Sequence, residues 1–350
     1  MITVLFVGGG TMGPVTPLIA VMRRMRRRRP DLRFAWAGTP DGPEREVLKR
    51  EGVEFFPIPV AKLPRHPGIA WLLWPFRYLK ARRVAGKVVR TVRPSLIASA
   101  GGFTGVPVIK AASLKGIPCA IHQLDAEPGL ANKAVAASCA SVTTSFRYDT
   151  TPFIGTKAVR VPTPCRFADV PVPSREDAVR TFGLDPERPV VFVVGGGTGA
   201  VTLNEALWSV LDGLLPATQV IHMTGKGKGD GRKARGYVQR DFLEESDILD
   251  AYAAADLVVS RAGIGSISDL AALSKPAIFV PLPGHQEKNV ARLVVETVRQ
   301  DTPDFAKRLR DRIVEGLHDD ECRKKCGKRL HDGFPTDDGS ALAERWLKLI

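Results

Sequence analysis

One phrase occurs twice in this chain. Leu5-Phe6-Val7-Gly8-Gly9-Gly10-Thr11 returns as Phe192-Val193-Val194-Gly195-Gly196-Gly197-Thr198. Each copy follows a β-branched apolar run and precedes a helical pattern, Leu18–Met25 or Leu203–Leu211. A strand that turns through glycines into a helix bares backbone N–H groups, and such groups bind phosphate-like anions. A third opening, Arg261-Ala262-Gly263-Ile264-Gly265-Ser266-Ile267-Ser268-Asp269, runs into a helix at Leu270–Leu273. It puts Asp269 near the end of the first helical turn, where a carboxylate accepts from ribose hydroxyls. The loop Val280–Asn289 carries His285, Gln286, Glu287, Lys288 and Asn289 after an apolar strand. Loops at the carboxyl ends of strands are where α/β sheets hold ligands.

The usual phosphate cofactors do not fit these turns. Gly8, Gly10 and Gly13 match G-x-G-x-x-G, but the next strand ends Trp36-Ala37-Gly38-Thr39, without the acid that a dinucleotide ribose requires. Gly195 to Gly199 fails the spacing, and no G-x-x-x-x-G-K-[ST] occurs. The five cysteines are scattered, which argues against a disulfide framework and for a reducing cytoplasm. Cys322 and Cys326 lie one helical turn apart near His331, but no second ligand pair with zinc spacing follows, so no metal site is assigned.

A formal charge of +14 calls for an anionic partner or surface. Arg23, Arg24 and Arg26 to Arg29 close the first helix, where cations favour the negative end of its dipole. Further on, Trp71, Leu72, Trp74 and Phe76 adjoin Arg77, Lys80, Arg82 and Arg83. Aromatic and apolar residues beside a basic helix suit the headgroup boundary of an anionic membrane. No recognition motif accompanies the charge, so nucleic acid is not expected as a partner. The N-terminus reads as a strand rather than a signal peptide. No apolar run reaches the roughly 20 residues that span a bilayer.

These sites need a scaffold of alternating strands and helices. In the first half, strands are expected at Ile2–Val7, Arg33–Ala37, Val53–Ile58, Leu96–Ala100 and Cys119–His122, with helices to about Arg28, around Glu44–Arg50 and at Val106–Leu114. Pro162, Pro164, Pro171 and Pro173 mark a linker before a helix at Arg175–Phe182. The rhythm then repeats with strands at Val190–Val194, Gln219–Met223, Tyr237–Gln239, Leu257–Ser260 and Ala277–Val280. Such alternation predicts α/β domains with doubly wound parallel sheets. The boundaries expected are 1–163 and 164–339, with an amphipathic helix over 340–350 that packs back on the first domain.

The ordered set resembles the MurG family of bacterial cell-wall glycosyltransferases. The likeness runs through the first glycine loop, Gly101 to Pro107, His122 to Lys133, Arg166, the second glycine loop, and the Arg261 and Gln286 segments. It implies the GT-B fold, two Rossmann-like doubly wound domains facing a cleft. It also implies transfer of N-acetylglucosamine from UDP-GlcNAc to the lipid-linked muramyl acceptor, lipid I, on the inner face of the cell membrane. On the donor side it assigns Arg166 to the diphosphate and Gly196, Gly197, Thr198, Gly263 and Ser266 to the phosphate-binding turns. Phe242 and Leu243 flank the uracil, Asp269 holds the ribose, and Gln286 and Asn289 read the sugar hydroxyls. On the acceptor side it assigns Gly10, Thr11, Gly13, Gly102, Phe103, Thr104, Glu127 and Asn132. The family's Thr-Gly-Gly-His stands here as Thr11-Met12-Gly13-Pro14, and its His-Glu-Gln-Asn as His122-Gln123-Leu124-Asp125.

The implied chemistry is displacement at the anomeric carbon with inversion, a base taking the acceptor's proton as UDP leaves. With Pro14 in the histidine position, the base candidates are His122, Asp125 and Glu127, and Asp125 is preferred. The chain has no Asp-x-Asp, and fixed donors can meet the diphosphate charge, so a metal-independent reaction without cofactor is expected. Two alternatives stay open: a related GT-B transferase with another lipid-linked acceptor, and a non-catalytic homologue that binds sugar nucleotide.

Overall fold

The computed structural model describes residues 2–60, 62–64, 68–196 and 199–350. Backbone contacts divide the chain into two units, Met1–Arg166 with Asp337–Ile350, and Phe167–Thr336. The division falls within the proline-marked linker, three residues after the expected 163/164 boundary, which leaves Arg166 in the first unit.

Unit 1 opens with β1 (Thr3–Val7), α1 (Val15–Arg28), β2 (Arg33–Gly38), α2 (Glu44–Arg50), β3 (Glu54–Pro57) and α3 (Ile69–Val92). It continues with β4 (Leu96–Ser99), α4 (Gly105–Ser113), β5 (Cys119–Gln123), α5 (Leu130–Val135), β6 (Ser141–Thr144), β7 (Val159–Arg160) and β8 (Thr163–Pro164). The main sheet runs β3-β2-β1-β4-β5-β6-β7, with every described pair parallel. β1 is buried on both faces, as a central parallel strand must be. Leu5 and Val7 join Ile97, Ile121 and Val108 in one core layer.

Unit 2 begins with α6 (Arg175–Thr181), β9 (Val190–Val194), α7 (Val201–Leu214), β10 (Gln219–Met223), β11 (Tyr237–Arg240) and α8 (Glu245–Ala254). Then follow β12 (Leu257–Ser260), α9 (Ile264–Ala272), β13 (Ala277–Phe279), α10 (His285–Val290), β14 (Glu296–Thr297), α11 (Phe305–His318) and α12 (Asp320–Gly333). Its sheet is parallel in the order β11-β10-β9-β12-β13-β14. Val191, Val193 and Val259 pack there with Leu207 and Leu211 of α7 and Leu309 and Ile313 of α11.

The chain then re-enters unit 1 through β15 (Thr336–Asp337) and α13 (Ser340–Leu347). α13 lies against α1. Trp346 is fully buried, with its ring 6.4 Å from that of Phe6. Gly339 takes φ +90°, and a Cβ there would come within 2.8 Å of the Val21 backbone, so glycine is what lets the tail close on α1.

The third glycine opening differs from its reading in the sequence. α9 starts at Ile264 rather than Leu270, so Asp269 stands in the second turn. The glycine and serines of Ile264–Ser268 are weak helix formers, and burial of Ile264 and Ile267 overrides that preference.

Candidate functional site

In each unit the candidate residues collect at the carboxyl edge of the sheet, beside the strand where the order reverses. That strand is β1 in unit 1 and β9 in unit 2. A crevice forms at such a switch point because the loops on either side leave in opposite directions.

In unit 1, β1 and β4 are neighbours with Val7 opposite Ser99. Their loops therefore meet, and a Cβ on Gly102 would lie 3.7 Å from the Gly9 carbonyl oxygen. Thr104 is buried, and its Oγ1 has no hydrogen-bond partner among the described residues. Phe103 lies under the ammonium of Lys62, 5.9 Å from the ring centroid. Thr11 is exposed and Gly13 half-buried.

The first glycine loop already holds an anion. The Gly10 amide donates to Glu44 Oε2 at 3.2 Å, and Thr39 donates to Glu44 Oε1 from its amide at 2.7 Å and its hydroxyl at 2.5 Å. Glu44 is fully buried. The Gly10 amide is thus unavailable to an acceptor phosphate, and Thr11 and Gly13 are the exposed part of this loop.

His122 does not have the setting of a catalytic base. Its ring is fully buried, with Nδ1 3.0 Å from Thr143 Oγ1 and Nε2 3.0 Å from Ser145 Oγ. Thr143 Oγ1 donates to the Ile121 carbonyl, which assigns the ring proton to Nδ1. Burial pushes the His122 pKa down to about 3. The ring is neutral and enclosed, and it ties β5 to β6.

Asp125 and Glu127 sit on a pinned backbone. Gln123 Nε2 donates to the carbonyls of Asp125 at 2.9 Å and Glu127 at 3.4 Å. Tyr148 Oη lies 2.9 Å from the Ala126 carbonyl oxygen and 3.2 Å from that of Asp125. Asn132 donates to Gln123 Oε1 at 2.6 Å and is itself buried, so it holds Gln123 rather than facing solvent. Asp125 is half-buried and Glu127 exposed.

In unit 2 the loops after β9, β12 and β13 come together. Gly196 takes φ +84°, while Gly197 and Thr198 lie outside the described residues. Gly263 precedes α9 as its N-cap and offers no side-chain cap, which leaves the first amides of the helix open to a ligand. Behind it Arg261 is 5% exposed, its Nη1 donates to the Val280 carbonyl at 3.0 Å, and its Nε has no partner among the described residues. Burial lowers the pKa of this guanidinium from its ordinary value. A buried cation and an open helix N-terminus are each suited to an anion.

Gln286 and Asn289 brace that site. Gln286 Oε1 accepts from the Leu282 amide at 2.9 Å, and its Nε2 lies near Gly263. Asn289 is fully buried and donates to the Ala262 carbonyl at 3.2 Å, which fixes the glycine turn. Ser266 is half-buried on the first turn of α9, and Asp269 is 4% exposed. Phe242 is 49% exposed while Leu243 is buried. Arg166 is the last residue of the first segment of unit 1.

α3 carries the expected surface residues. Ala81, Ala85, Val88 and Val89 bury its second half. Its first half exposes Ile69, Trp71, Leu72, Leu73, Phe76 and Leu79. Trp74 is half-buried and stacks on Tyr78 at 5.4 Å. Arg77, Lys80, Arg82 and Arg83 are exposed beside them. No helix among the described residues is long and apolar enough to cross a membrane. Nor do those residues hold a group of three His, Cys, Asp or Glu side chains placed for a metal ion.

Residues 4–144 match the glycosyltransferase family 28 N-terminal domain, and residues 190–321 match the family 28 C-terminal domain. A UDP-N-acetylglucosamine–N-acetylmuramyl-(pentapeptide) pyrophosphoryl-undecaprenol N-acetylglucosamine transferase from Nocardioides sp. is 40% identical over 305 residues, 84% of this chain and 82% of that protein. The enzyme of the same name from Lachnoclostridium phytofermentans is 37% identical over 80% of this chain and 78% of its own. The crystal structure of Acinetobacter baumannii MurG superposes with a TM-score of 0.74 at 25% identity, covering 99% of this chain and all of the other. The chain belongs to the MurG family.

Its fold is GT-B, and it is a glycosyltransferase. In this MurG-family chain the sequence pattern did not announce the groups that hold the candidate loops. Glu44 and Tyr148 act on residues 34 and 23 positions away, a relation no local pattern announces. Arg261 could have been suspected, because a charged residue directly after the buried strand Leu257–Ser260 has to be paired or functional.

Proposed function

We propose that this chain moves N-acetylglucosamine from UDP-GlcNAc to the muramyl sugar of lipid I with inversion, forming lipid II for peptidoglycan. The observation that carries the reading is the 40% identity to a transferase of that name across 84% of the chain, joined to a buried arginine behind an open helix N-terminus. Unit 2 takes the donor. The α9 amides and Arg261 meet the diphosphate, Asp269 the ribose, Phe242 and Leu243 the uracil, and Gln286 the sugar. Arg166 adds a further cation to the diphosphate.

Unit 1 takes the acceptor through Thr11, Gly13, Gly102, Phe103 and Thr104. Asp125 accepts the proton of the attacking hydroxyl as the bond from the anomeric carbon to UDP breaks. Fixed donors oppose the charge developing on the leaving diphosphate, so the reading assigns that work to protein groups and not to a metal ion.

The exposed apolar and basic face of α3 supports a peripheral site on the anionic inner face of the membrane, where the lipid-linked acceptor resides. Flotation with liposomes checks this contact, and equal recovery with neutral and anionic lipid would remove its electrostatic part. Nucleic acid has no place in the reading.

The test of the reaction is UDP release from UDP-GlcNAc in the presence of a short-chain lipid I analogue. Release that depends on the acceptor is expected. Thermal stabilisation by UDP with no turnover would instead favour a sugar-nucleotide-binding homologue.

A further inference from the structure

Beside the second glycine loop lies a stretch that the reading above does not use. Gly225-Lys226-Gly227-Lys228-Gly229-Asp230-Gly231-Arg232-Lys233-Ala234-Arg235-Gly236 connects β10 to β11 and holds five cations against one acid. β10 pairs with β9, Met223 opposite Val194, so both loops leave the same edge of the sheet. They also touch. A Cβ on Gly199 would overlap the Thr224 carbonyl and come within 2.7 Å of Gly225 Cα, so no side chain fits between them.

The loop is fixed in shape. Asp241, just past β11, accepts from the Gly227 amide at 3.2 Å and from Thr224 Oγ1 at 3.3 Å. The neighbouring Thr224 carbonyl accepts from Asn204 Nδ2 at 2.9 Å, and Asn204 is held in turn by His222. Gly225 and Gly227 take φ of +94° and +68°, conformations that carry the chain around Lys226. Lys226 is exposed on this held turn. Phe242, assigned to the uracil side, follows Asp241 directly.

We propose that the Gly225–Gly229 turn is a phosphate-binding edge of the donor site, and that Lys226 makes the protein prefer a nucleoside diphosphate to a nucleoside. The inference rests on the reading that unit 2 holds UDP-GlcNAc. Lysine serves here as a point charge that needs no bidentate geometry. The fixed backbone keeps the Lys226 main chain beside the second glycine loop, so binding has only its side chain to order.

Calorimetric titration of the full chain with UDP and with uridine tests it, using wild type, Lys226→Ala and Lys226→Arg. Lys226→Ala is expected to weaken UDP about tenfold, as loss of one charge-assisted contact does, and to leave uridine within twofold. Lys226→Arg is expected to recover most of the UDP affinity. UDP binding by Lys226→Ala equal to wild type, or an equal loss for UDP and uridine, overturns the inference. Failure of wild type to bind UDP overturns the donor reading itself, which separates the two cases. Lys226 is exposed, so its variants fold, and an unchanged unfolding midpoint verifies this in the same samples.

Discussion

The Gly10 amide donates to Glu44 Oε2 at 3.2 Å, so the first glycine loop is closed by a carboxylate of its own chain. In the strand orders, β2 stands beside β1 as β10 stands beside β9. The segment after β2 delivers Glu44, while the segment after β10 delivers Lys226. Two like openings thus carry opposite charge at equivalent places. On the proposal above, Lys226 draws a nucleoside diphosphate to the second opening, while the first is closed by Glu44.

Glu44→Gln puts an N–H where three donors converge and leaves buried polar groups unmatched. Stability is expected to fall by about 1–3 kcal/mol in urea denaturation. UDP affinity should stay within twofold, because Glu44 lies in unit 1. A stable variant with altered UDP binding would contradict this assignment.

Arg261→Lys keeps a cation but loses the planar fork that bonds Val280 and leaves Nε for a ligand. The kcat/KM for UDP-GlcNAc is expected to drop at least tenfold, roughly one charge-assisted hydrogen bond. A value within twofold of wild type would remove Arg261 from the donor site.

Asp125→Asn preserves the shape of the segment that Gln123 and Tyr148 pin. If Asp125 takes the proton, kcat falls about 10²- to 10⁴-fold with KM for both substrates little changed. Full turnover at saturating substrate would place the base elsewhere.

Acid stability follows from two buried imidazoles. Burial lowers His122 to about 3 and His222 to about 4. The unfolded chain binds these protons near pH 6.5, so below that value it holds protons the native state does not. Stability is then full above about pH 7 and declines as pH falls, by about 1.4 kcal/mol per pH unit for each histidine. Urea denaturation between pH 7 and pH 5 measures the slope, and His222→Asn should reduce it by one proton. A pH-independent midpoint across that range would contradict the neutral, enclosed rings.

The strands were readable because each is a short β-branched run bounded by turn residues. Val190–Val194, Gln219–Met223 and Leu257–Ser260 stand where the pattern puts them. The charged helix α12 carries few apolar anchors and left no comparable signal; Gly327 and Leu330 are its buried residues. Roles diverged further than positions. His122 has the residue type of a base, yet tertiary burial turns it into a brace between two strands. Glu44, which closes the first loop, lies 34 residues from Gly10, beyond any local motif.

Hydrogen exchange of the full chain with and without UDP-GlcNAc tests most directly that one of the two openings serves the nucleotide. Protection is expected at 195–199, 225–229 and 261–269, with none at 8–13. Protection of Gly8 to Gly13 by the nucleotide, with unit 2 unchanged, would contradict the account.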